Sequence, residues 1–473
     1  MTGYLLSSHE ADVRSTAAAA RLRAAGLHRG DRVAVLAPEP GLPADRAAAG
    51  QAAVASLAFG ALRTGIVPVM VNPLLTAEEQ QGYLADARCA AVVATTSDAL
   101  ALTDPHGVPG APSELADVPL GRPMHFTSGT TGRSKGVWAG VLDEPTAARY
   151  WADEHDQWRI EPGDVVLTHG PLAHSAPLRF SFLAFLHGAD VVYTGGFDVD
   201  RTSAAMRQYR PTVAMAVPTH LQRLLQQPGG PPPSTYRMLV HAGSACPPDL
   251  KRAIHTWAGV EHVWEFLGST EGQFTACRGA EWEERPGTLG RARVGRRLLI
   301  DDGARAQPGV IWCAAPDFAA FSYFDDEAKT AAAWTKVDSG AQDGPGVVGT
   351  RAFTVGDLGR LDDDGYLFLH GRRTDLIVTG GVNVYPAEVE AELRGCPGVT
   401  DAAVYGLPDP QWGERVCAAV VGEATAAQVI AWCREHVAPY RRPKQVTPVP
   451  ALPLTANGKV LRDGLATWVA EHG

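Results

Sequence analysis

The chain has 473 residues, of which 45% are hydrophobic and 20% charged, so it can form large buried cores and is not typical of a disordered protein. The 52 Asp and Glu residues outnumber the 42 Lys and Arg residues, and the net charge of −10 argues against nucleic acid or an anionic membrane as the main partner. The 7 cysteines include no CxxC pair, which disfavours a zinc site or disulfide framework and indicates a reducing, cytoplasmic compartment.

The first residues, MTGYLLSSHEADVR, contain no basic segment followed by a long apolar run, so we expect no secretory signal here. Apolar stretches such as Val67–Val71 are far shorter than the ~20 residues of a membrane helix. They are typical of buried strands, and no membrane span is expected.

Short β-branched runs alternate with Ala- and Leu-rich segments from about Arg32 to Thr270. Continuous apolar strands separated by helices predict parallel sheets covered by helices on both faces. The predicted strands begin at Arg32, Val67, Ala91, Val165, Asp190, Val213 and Met238. The clearest predicted helices are Ala52–Arg63, Leu178–His187 and Pro247–Trp257.

The pattern changes after Gly371, where short strands and two helices indicate a compact α+β unit of about 100 residues. The helices are predicted at Pro386–Arg394, with Pro at its first position and Gly395 as its stop, and at Ala426–His436. The Gly-rich segment before this unit contains Gly344–Gly349, a formal GxGxxG match. It includes a proline and opens no helix, so a surface loop is favoured.

The most informative segment is FTSGTTGRSKGV at 126–137, in which glycines alternate with hydroxyl residues and a lysine lies near the end. Glycines let backbone N–H groups approach an anion, hydroxyls add donors, and lysine adds charge. The segment therefore predicts a phosphate-binding loop. It does not fit GxxxxGK[ST], which disfavours a P-loop ATPase.

This segment resembles the phosphate loop of the adenylate-forming superfamily, which includes acyl-CoA synthetases, nonribosomal peptide adenylation domains and luciferases. Three further motifs follow in the family's order and extend the resemblance over roughly residues 12–465: EFLGSTEG from Glu265, the block from Thr354 through Glu390, and PLTANGKVLR from Pro453. The segments at His174, His241 and Glu265 most resemble bacterial fatty-acyl-CoA synthetases.

The resemblance implies an α/β fold with a large N-terminal domain of doubly wound sheets plus a β-subdomain, residues 1–371. A small mobile α+β C-terminal domain, residues 372–473, would carry the catalytic lysine. The implied activity is that of an AMP-forming acyl-CoA synthetase, an ATP-dependent acid–thiol ligase. A fatty, aryl or polycyclic acid would react with ATP to give acyl-AMP and pyrophosphate, and coenzyme A would then take the acyl group.

The implied co-substrates and cofactor are ATP, coenzyme A and Mg²⁺, and the implied state is a monomer or homodimer. One alternative is an acyl-AMP ligase that loads the phosphopantetheine of an acyl carrier protein in a biosynthetic pathway. A second is a non-catalytic adenylate-binding protein, which the intact Lys459, Glu271 and Asp357 disfavour.

Residue roles follow from the same motifs. The catalytic residues implied are Lys459, Glu271, Thr270 and His174, with Glu271 as the Mg²⁺ ligand. The ATP- or AMP-binding residues implied are Thr127, Ser128, Gly129, Thr130, Thr131, Gly132, Lys135, Ala242, Gly243, Ser244, Glu265, Phe266, Leu267, Gly268, Asp357 and Arg372. Thr374 is the implied hinge, and Gly380 and Gly381 line the implied thiol channel.

The implied acyl pocket contains His174, Ser175 and Phe180, and lies in an apolar segment that could equally form core. His174 itself is either near the substrate carboxylate or a core histidine capped by a backbone carbonyl. Amino-acid-activating relatives carry an Asp at the position of Ser175, and its absence disfavours an amino acid substrate. Three residues depart from the family pattern: Leu267, Thr374 and Val378.

Overall fold

The computed structural model describes residues 2–75, 77–108, 110, 112, 115–127, 135–301, 308–337, 351–372, 375, 377–379, 382–384, 386–409, 412–437, 439–454, 460–462 and 464–473. The chain divides into two compact units. The first contains Met1–Leu298 and Cys313–Phe353, and the second contains Leu299–Trp312 and Thr354–Gly473. The predicted domain boundary after Gly371 lies within the second unit and stays a prediction.

The described strands are β1 (Tyr4–Leu6), β2 (Arg32–Val35), β3 (Val67–Met70), β4 (Ala91–Val93), β5 (Met124–Thr127), β6 (Lys135–Trp138), β7 (Val165–Thr168), β8 (Asp190–Tyr193), β9 (Val213–Ala216), β10 (Met238–His241), β11 (Val263–Glu265), β12 (Thr275–Arg278), β13 (Arg291–Ala292), β14 (Arg297–Ile300), β15 (Gly309–Ala314), β16 (Ser322–Tyr323), β17 (Trp334–Lys336), β18 (Arg351–Phe353), β19 (Asp357–Leu361), β20 (Leu367–Arg372), β21 (Ile377–Thr379), β22 (Val382–Val384), β23 (Val399–Asp409), β24 (Gly413–Gly422) and β25 (Gln445–Pro448).

The described α-helices are α1 (Ser8–Ala24), α2 (Ala44–Arg63), α3 (Ala77–Asp86), α4 (Thr96–Thr103), α5 (Glu144–Trp158), α6 (Ser175–Leu186), α7 (Val199–Tyr209), α8 (Pro218–Leu225), α9 (Pro248–Ala258), α10 (Gly279–Glu284), α11 (Glu327–Ala333), α12 (Pro386–Arg394), α13 (Ala426–His436) and α14 (Leu465–His472). Within the described ranges, no helix is both long and apolar enough to span a bilayer.

Two sheets dominate the first unit. One has the strand order β1-β8-β7-β9-β10-β11-β12-β13 and the other β16-β6-β5-β3-β2-β4. The interior pairs, such as β7 with β8 and β2 with β3, are parallel, which confirms the predicted parallel sheets. Strands β11 and β12 are joined by a short connection and pair antiparallel, because a parallel pair needs a long crossover; the pairs β1–β8 and β6–β16 are also antiparallel.

Helix α2 runs through the largest core of the first unit and is buried along almost its whole length. It begins at Ala44, eight residues before the predicted start, since its first turns are as alanine-rich as the rest. Small residues let it approach α1 closely: a Cβ at Gly60 would lie 2.0 Å from the backbone oxygen of Ser15. Glycine is required there by close packing.

Strand β15 takes part in both units: Cys313 and Ala314 pair with β18 in the first, and Gly309 and Val310 pair with β19 in the second. In the first unit, an aromatic cluster packs around the β17–β18 hairpin. Phe321 lies 5.0 Å from the Trp334 ring and 5.4 Å from Phe353. This hairpin region matches the expected β-subdomain.

The second unit contains the antiparallel pair β19–β20 and a sheet in the order β22-β21-β24-β23, with β25 beside β24. Helices α12 and α13 have the predicted bounds. Helix α13 starts at a capping box in which Thr425 accepts from the backbone N–H of Gln428. The α+β character predicted for this part of the chain is confirmed.

Candidate active site

The predicted phosphate loop is bounded by a β-hairpin. Strands β5 and β6 are antiparallel, and their last pair joins Thr127 to Lys135. The Lys135 Nζ lies 3.4 Å from the Asp326 carboxylate, in a partly exposed position. Both predicted residues at the ends of the loop therefore lie side by side. The loop residues between them that were predicted to bind phosphate, Ser128, Gly129, Thr130, Thr131 and Gly132, lie outside the described residues.

The GSTEG motif forms a tight turn after β11. Ser269 N donates to the Gly272 carbonyl at 2.9 Å, and Gly268 pairs with Gln273, so Thr270 and Glu271 lie at the tip. Arg122 supports the tip from outside, because its Nη1 donates to the Thr270 and Glu271 carbonyls at 3.4 and 3.2 Å. The turn thus presents both predicted catalytic residues on a supported backbone.

The Glu271 carboxylate is buried and oriented by a tyrosine. Tyr323 Oη donates to Glu271 Oε1 at 2.9 Å, and the ammonium of Lys329 lies 4.1 Å from the centre of the Tyr323 ring. Burial lowers the pKa of Lys329, although Glu271 and Asp326 oppose the shift. Within the described residues, no hydrogen bond engages Glu271 Oε2. One carboxylate with an oxygen available for coordination is a suitable ligand for Mg²⁺, which takes most of its other ligands from phosphate and water.

A small cavity of about 30 Å³ adjoins this turn. Ser269, Thr270 and Gly272 form one side, and helix α6 forms another through Ser175 and its next turns. Its described lining is Arg122, Pro123, His125, Val137, Tyr150, Trp151, Ser175, Leu178, Arg179, Phe182, Ser269, Thr270 and Gly272. The structure therefore brings the predicted Ser175 and Thr270 to one cavity.

The other predicted acyl-pocket residues lie on either side of Ser175. His174 is the N-cap residue of α6. Burial and the proximity of His174 lower the pKa of His125 to about 3, so His125 lines the cavity as a neutral imidazole. Phe180 is fully buried and packs 5.2 Å from the Trp158 ring, whereas Phe182 of the same helix lines the cavity.

A network of buried charges lies next to the cavity. Arg293 Nη1 donates to Glu154 Oε1 at 2.7 Å and Arg293 Nη2 to Asp153 Oδ2 at 2.6 Å. The Arg179 Nε lies 3.5 Å from the second oxygen of Glu154. Burial alone would raise the pKa of Glu154, but Arg293 and Arg179 outweigh it and lower the pKa to about 2. Glu154 is therefore ionised although only 2% of its side chain is exposed.

The segments predicted to flank adenine follow β10 and β11. Gly243 adopts φ +97°, a left-handed conformation that favours glycine between Ala242 and Ser244. Phe266 is buried and lies edge-on to Trp158, with ring centres 5.5 Å apart. Leu267 is held by its backbone, whose N–H donates to Thr275 Oγ1 at 3.0 Å.

Glu265 belongs to a buried cluster that joins the ends of β10 and β11. Lys251 Nζ lies 2.7 Å from Glu265 Oε2 and 2.8 Å from His241 Nε2. Burial and the Lys251 ammonium lower the pKa of His241 well below its usual range, so its imidazole is neutral and can accept this hydrogen bond. In the structure Glu265 thus supports the two strands whose following residues are predicted to bind the nucleotide.

The second unit holds the remaining described site residues. Asp357 is buried at the start of β19, directly across from Arg372 in β20. Arg462, in the C-terminal motif, donates from Nη2 to Glu390 Oε2 at 3.0 Å and from Nη1 to the Val404 carbonyl at 3.2 Å. The predicted Lys459, Thr374, Gly380 and Gly381 lie outside the described residues.

Comparison with known proteins identifies the class. The family model for AMP-binding enzymes matches residues 2–119 and 123–321, and the model for the C-terminal domain of AMP-binding enzymes matches residues 388–459. The chain therefore belongs to the family of AMP-binding enzymes, and the predicted superfamily and fold class are confirmed.

Individual relatives agree with this family. The chain is 30% identical to the long-chain-fatty-acid–CoA ligase FadD13 of Mycobacterium tuberculosis, over 93% of this chain and 88% of that protein. It is 31% identical to a feruloyl-CoA synthase of an Amycolatopsis species, over 97% and 93%. The crystal structure of ATP-bound MatB from Rhodopseudomonas palustris matches with a TM-score of 0.79 and 27% identity, over 98% of this chain and 93% of that one.

The sequence analysis missed several residues that shape the site. Arg122 and Arg179 line the cavity, Tyr323 orients Glu271, and Arg293 neutralises Glu154. None lies in the four motifs named above, and an isolated arginine in a sequence is usually a surface residue. The one available signal was Arg179 itself, a charge within the otherwise apolar segment PLRFSFLAF.

We expect Lys251→Met to destabilise the protein by about 3–5 kcal/mol, because Glu265 would remain buried without its cation. Unfolding in urea, followed by fluorescence, measures this loss. Arg252→Met on the same helix is the matched control: its partner Asp249 is fully exposed, so its loss should cost at most about 1 kcal/mol. Equal effects of the two substitutions would contradict a structural role for the buried cluster.

The Glu154 network predicts a specific loss of stability in acid. The pKa of Glu154 falls from an ordinary 4.5 to about 2 on folding. Its ionisation therefore stabilises the fold above pH 4.5 and ceases to do so as the pH falls towards 2. The difference in unfolding free energy between wild type and Glu154→Gln should shrink by about 2 kcal/mol between pH ~6 and pH ~3. A difference that does not vary with pH would show that Glu154 is not ionised in the fold.

Proposed function

We propose that the protein is an AMP-forming acyl-CoA synthetase. It activates a carboxylic acid with ATP to acyl-AMP and pyrophosphate, and then transfers the acyl group to coenzyme A. Membership of the AMP-binding enzymes and the relatives named as CoA ligases support this activity as an ATP-dependent acid–CoA ligase. The predicted use of ATP agrees with the ATP-bound relative.

One observation carries the proposal. The turn bearing Thr270 and Glu271 forms a wall of the cavity, and the N-terminal turn of α6 forms another. An acid in the cavity would hold its carboxylate between Thr270, which would donate to the α-phosphate, and the residues His174 and Ser175. Positioning two reactants in this way removes much of the entropic cost of the first step.

The chemistry requires positive charge, because a carboxylate must attack an anionic phosphate. Lys135, at the end of the predicted phosphate loop, would bind the phosphates. In the structure its ammonium pairs with the Asp326 carboxylate, which orients it. Glu271 would hold Mg²⁺, which when bound neutralises phosphate charge. Tyr323 fixes one Glu271 oxygen, so the other is already oriented for the metal.

The second unit would contribute the remaining groups. We assign Asp357 to the ribose hydroxyls, Lys459 to the charge between carboxylate and α-phosphate, Thr374 to the hinge, and Gly380 and Gly381 to the thiol channel. The Arg462–Glu390 ion pair joins Arg462, the last residue of the C-terminal motif, to helix α12. A cytoplasmic location and a monomeric or dimeric state belong to the same proposal.

The proposal is tested by pyrophosphate release with ATP, Mg²⁺ and a panel of fatty, aryl, polycyclic and amino acids. We expect release with carboxylic acids, none with free amino acids, and acyl-CoA on addition of coenzyme A. Lys459→Ala should slow release by ~10²–10³, the usual effect of one preorganised charge. Thioester formation only with a carrier-protein phosphopantetheine would establish the acyl-AMP ligase instead. Absence of pyrophosphate release with every acid would favour the non-catalytic alternative.

The metal assignment predicts different Mg²⁺ dependences for two variants. Tyr323→Phe should raise the Mg²⁺ concentration for half-maximal pyrophosphate release by ~10-fold and recover at saturation, because only the orienting hydrogen bond is lost. Glu271→Gln should not recover. Tyr209→Phe, which loses a hydroxyl bonded to the Gly3 carbonyl, is the matched control and should behave as wild type. Unchanged Mg²⁺ dependence in both site variants would refute the assignment.

A further inference from the structure

The cavity beside the Thr270 turn has a composition that does not suit a purely apolar acyl chain. Its walls include Val137, Trp151, Leu178 and Phe182, but two guanidinium groups, Arg122 and Arg179, also line it. Among the described residues of the lining there is no carboxylate. A cavity for a hydrocarbon alone would not need a cation, since burying one costs free energy unless it is paired.

Arg179 has unused hydrogen-bonding capacity. Its side chain is 17% exposed, and its contacts within the described residues are Glu154, 3.5 Å from Nε, and the Phe266 ring, 5.7 Å from Cζ. Neither is a hydrogen bond, and the buried Nε has no acceptor among the described residues. Arg122 also has a buried nitrogen, Nη2, without an acceptor there. Guanidinium groups of this kind suit a carboxylate, which can accept two parallel bonds.

Glu154 accounts only for the Nε of Arg179, which lies 3.5 Å from Oε2, an oxygen that likewise has no hydrogen bond among the described residues. The two acids of the network, Asp153 and Glu154, are bonded at 2.6–2.9 Å to Arg293 and Arg296. Two carboxylates thus already face two closer guanidinium groups. Arg179 adds a third positive charge to the network, and Arg122 adds another at the cavity wall. The described residues that line the cavity therefore include two guanidinium groups and no carboxylate.

The position of Arg179 on α6 sets the spacing between the two acidic groups of a substrate. It lies one turn after Ser175 on α6, which places the two residues about 6 Å apart along the helix axis. Ser175, Arg179 and Thr270 all line the cavity, and Arg179 is the further of the two helix residues from the start of α6.

We propose that Arg179 selects acids carrying a second negatively charged group, with a short dicarboxylic acid as the substrate class. One carboxylate would be activated at the Thr270 turn, and the other would pair with the Arg179 guanidinium while the apolar walls enclose the chain between them. This inference rests on the proposed acyl-CoA synthetase function and names its acid.

The test compares succinate, glutarate and adipate with butanoate, pentanoate and hexanoate in pyrophosphate release. At least one diacid should exceed its monoacid counterpart in kcat/KM by 10- to 100-fold, the range of a charge-assisted hydrogen-bonded pair. Arg179→Met should remove this preference, mainly through KM. Arg179→Lys should retain part of it, because the charge remains without the planar donor pair.

Arg149→Met is the matched control, since Arg149 is exposed on α5 beside Tyr150 and stacks over Phe318. It should leave both rates unchanged. Urea unfolding checks that each variant folds. If Arg179→Met does not fold, the diacid preference of Arg179→Lys tests the inference instead. The inference is overturned if the wild type prefers each monoacid to its diacid counterpart. It is also overturned if a folded Arg179 variant keeps the diacid preference of the wild type. Neither result contradicts the proposed ligase activity.

Absence of pyrophosphate release with any acid contradicts the proposed function instead. Calorimetric titration of adipate and hexanoate in the presence of an unreactive ATP analogue then decides the inference separately. Tighter binding of adipate to wild type than to the Arg179 variant supports it. Equal binding of adipate and hexanoate to wild type overturns it.

Discussion

The buried ion pair between Arg293 and Glu154 organises the candidate site. From Arg293, hydrogen bonds reach Asp153 and Glu154 on α5 and Gln273 directly after the GSTEG turn. Its backbone N–H also donates to the Phe274 carbonyl. Through Glu154 the network extends to Arg179 on α6. One buried guanidinium thus connects the Thr270 turn with both helices that line the cavity.

Such a network is costly to assemble, because each charge loses its hydration on burial. Once assembled, the network also fixes positions. The three connected elements cannot shift independently without leaving a charge unpaired, and the same constraint holds for Lys251 with Glu265 at the ends of β10 and β11. Charge pairs therefore set the positions of the loops on both sides of the Thr270 turn, while the apolar core sets the sheets.

The topology explains why these loops meet. Strands β7, β10 and β11 lie in one sheet and run parallel through β9. Parallel strands bring their carboxyl ends to the same edge, where open α/β sheets bind their ligands. The residues after these strands include His174, Ala242 and Thr270, which the sequence predicts for the acid, adenine and phosphate sides of the site.

Much was determined by the sequence alone. Alternating apolar strands and helices determined the parallel sheets, Pro386 and Gly395 determined the bounds of α12, and the ordered motifs determined the family, because each of these signals is local. The extent of α2, the placement of Phe182 rather than Phe180 at the cavity, and the roles of Arg122, Arg179, Tyr323 and Arg293 were decided by the tertiary structure. Glu154 and Arg293 lie 139 positions apart in the chain. Their pairing is set by packing and charge neutralisation between elements, which no local pattern encodes.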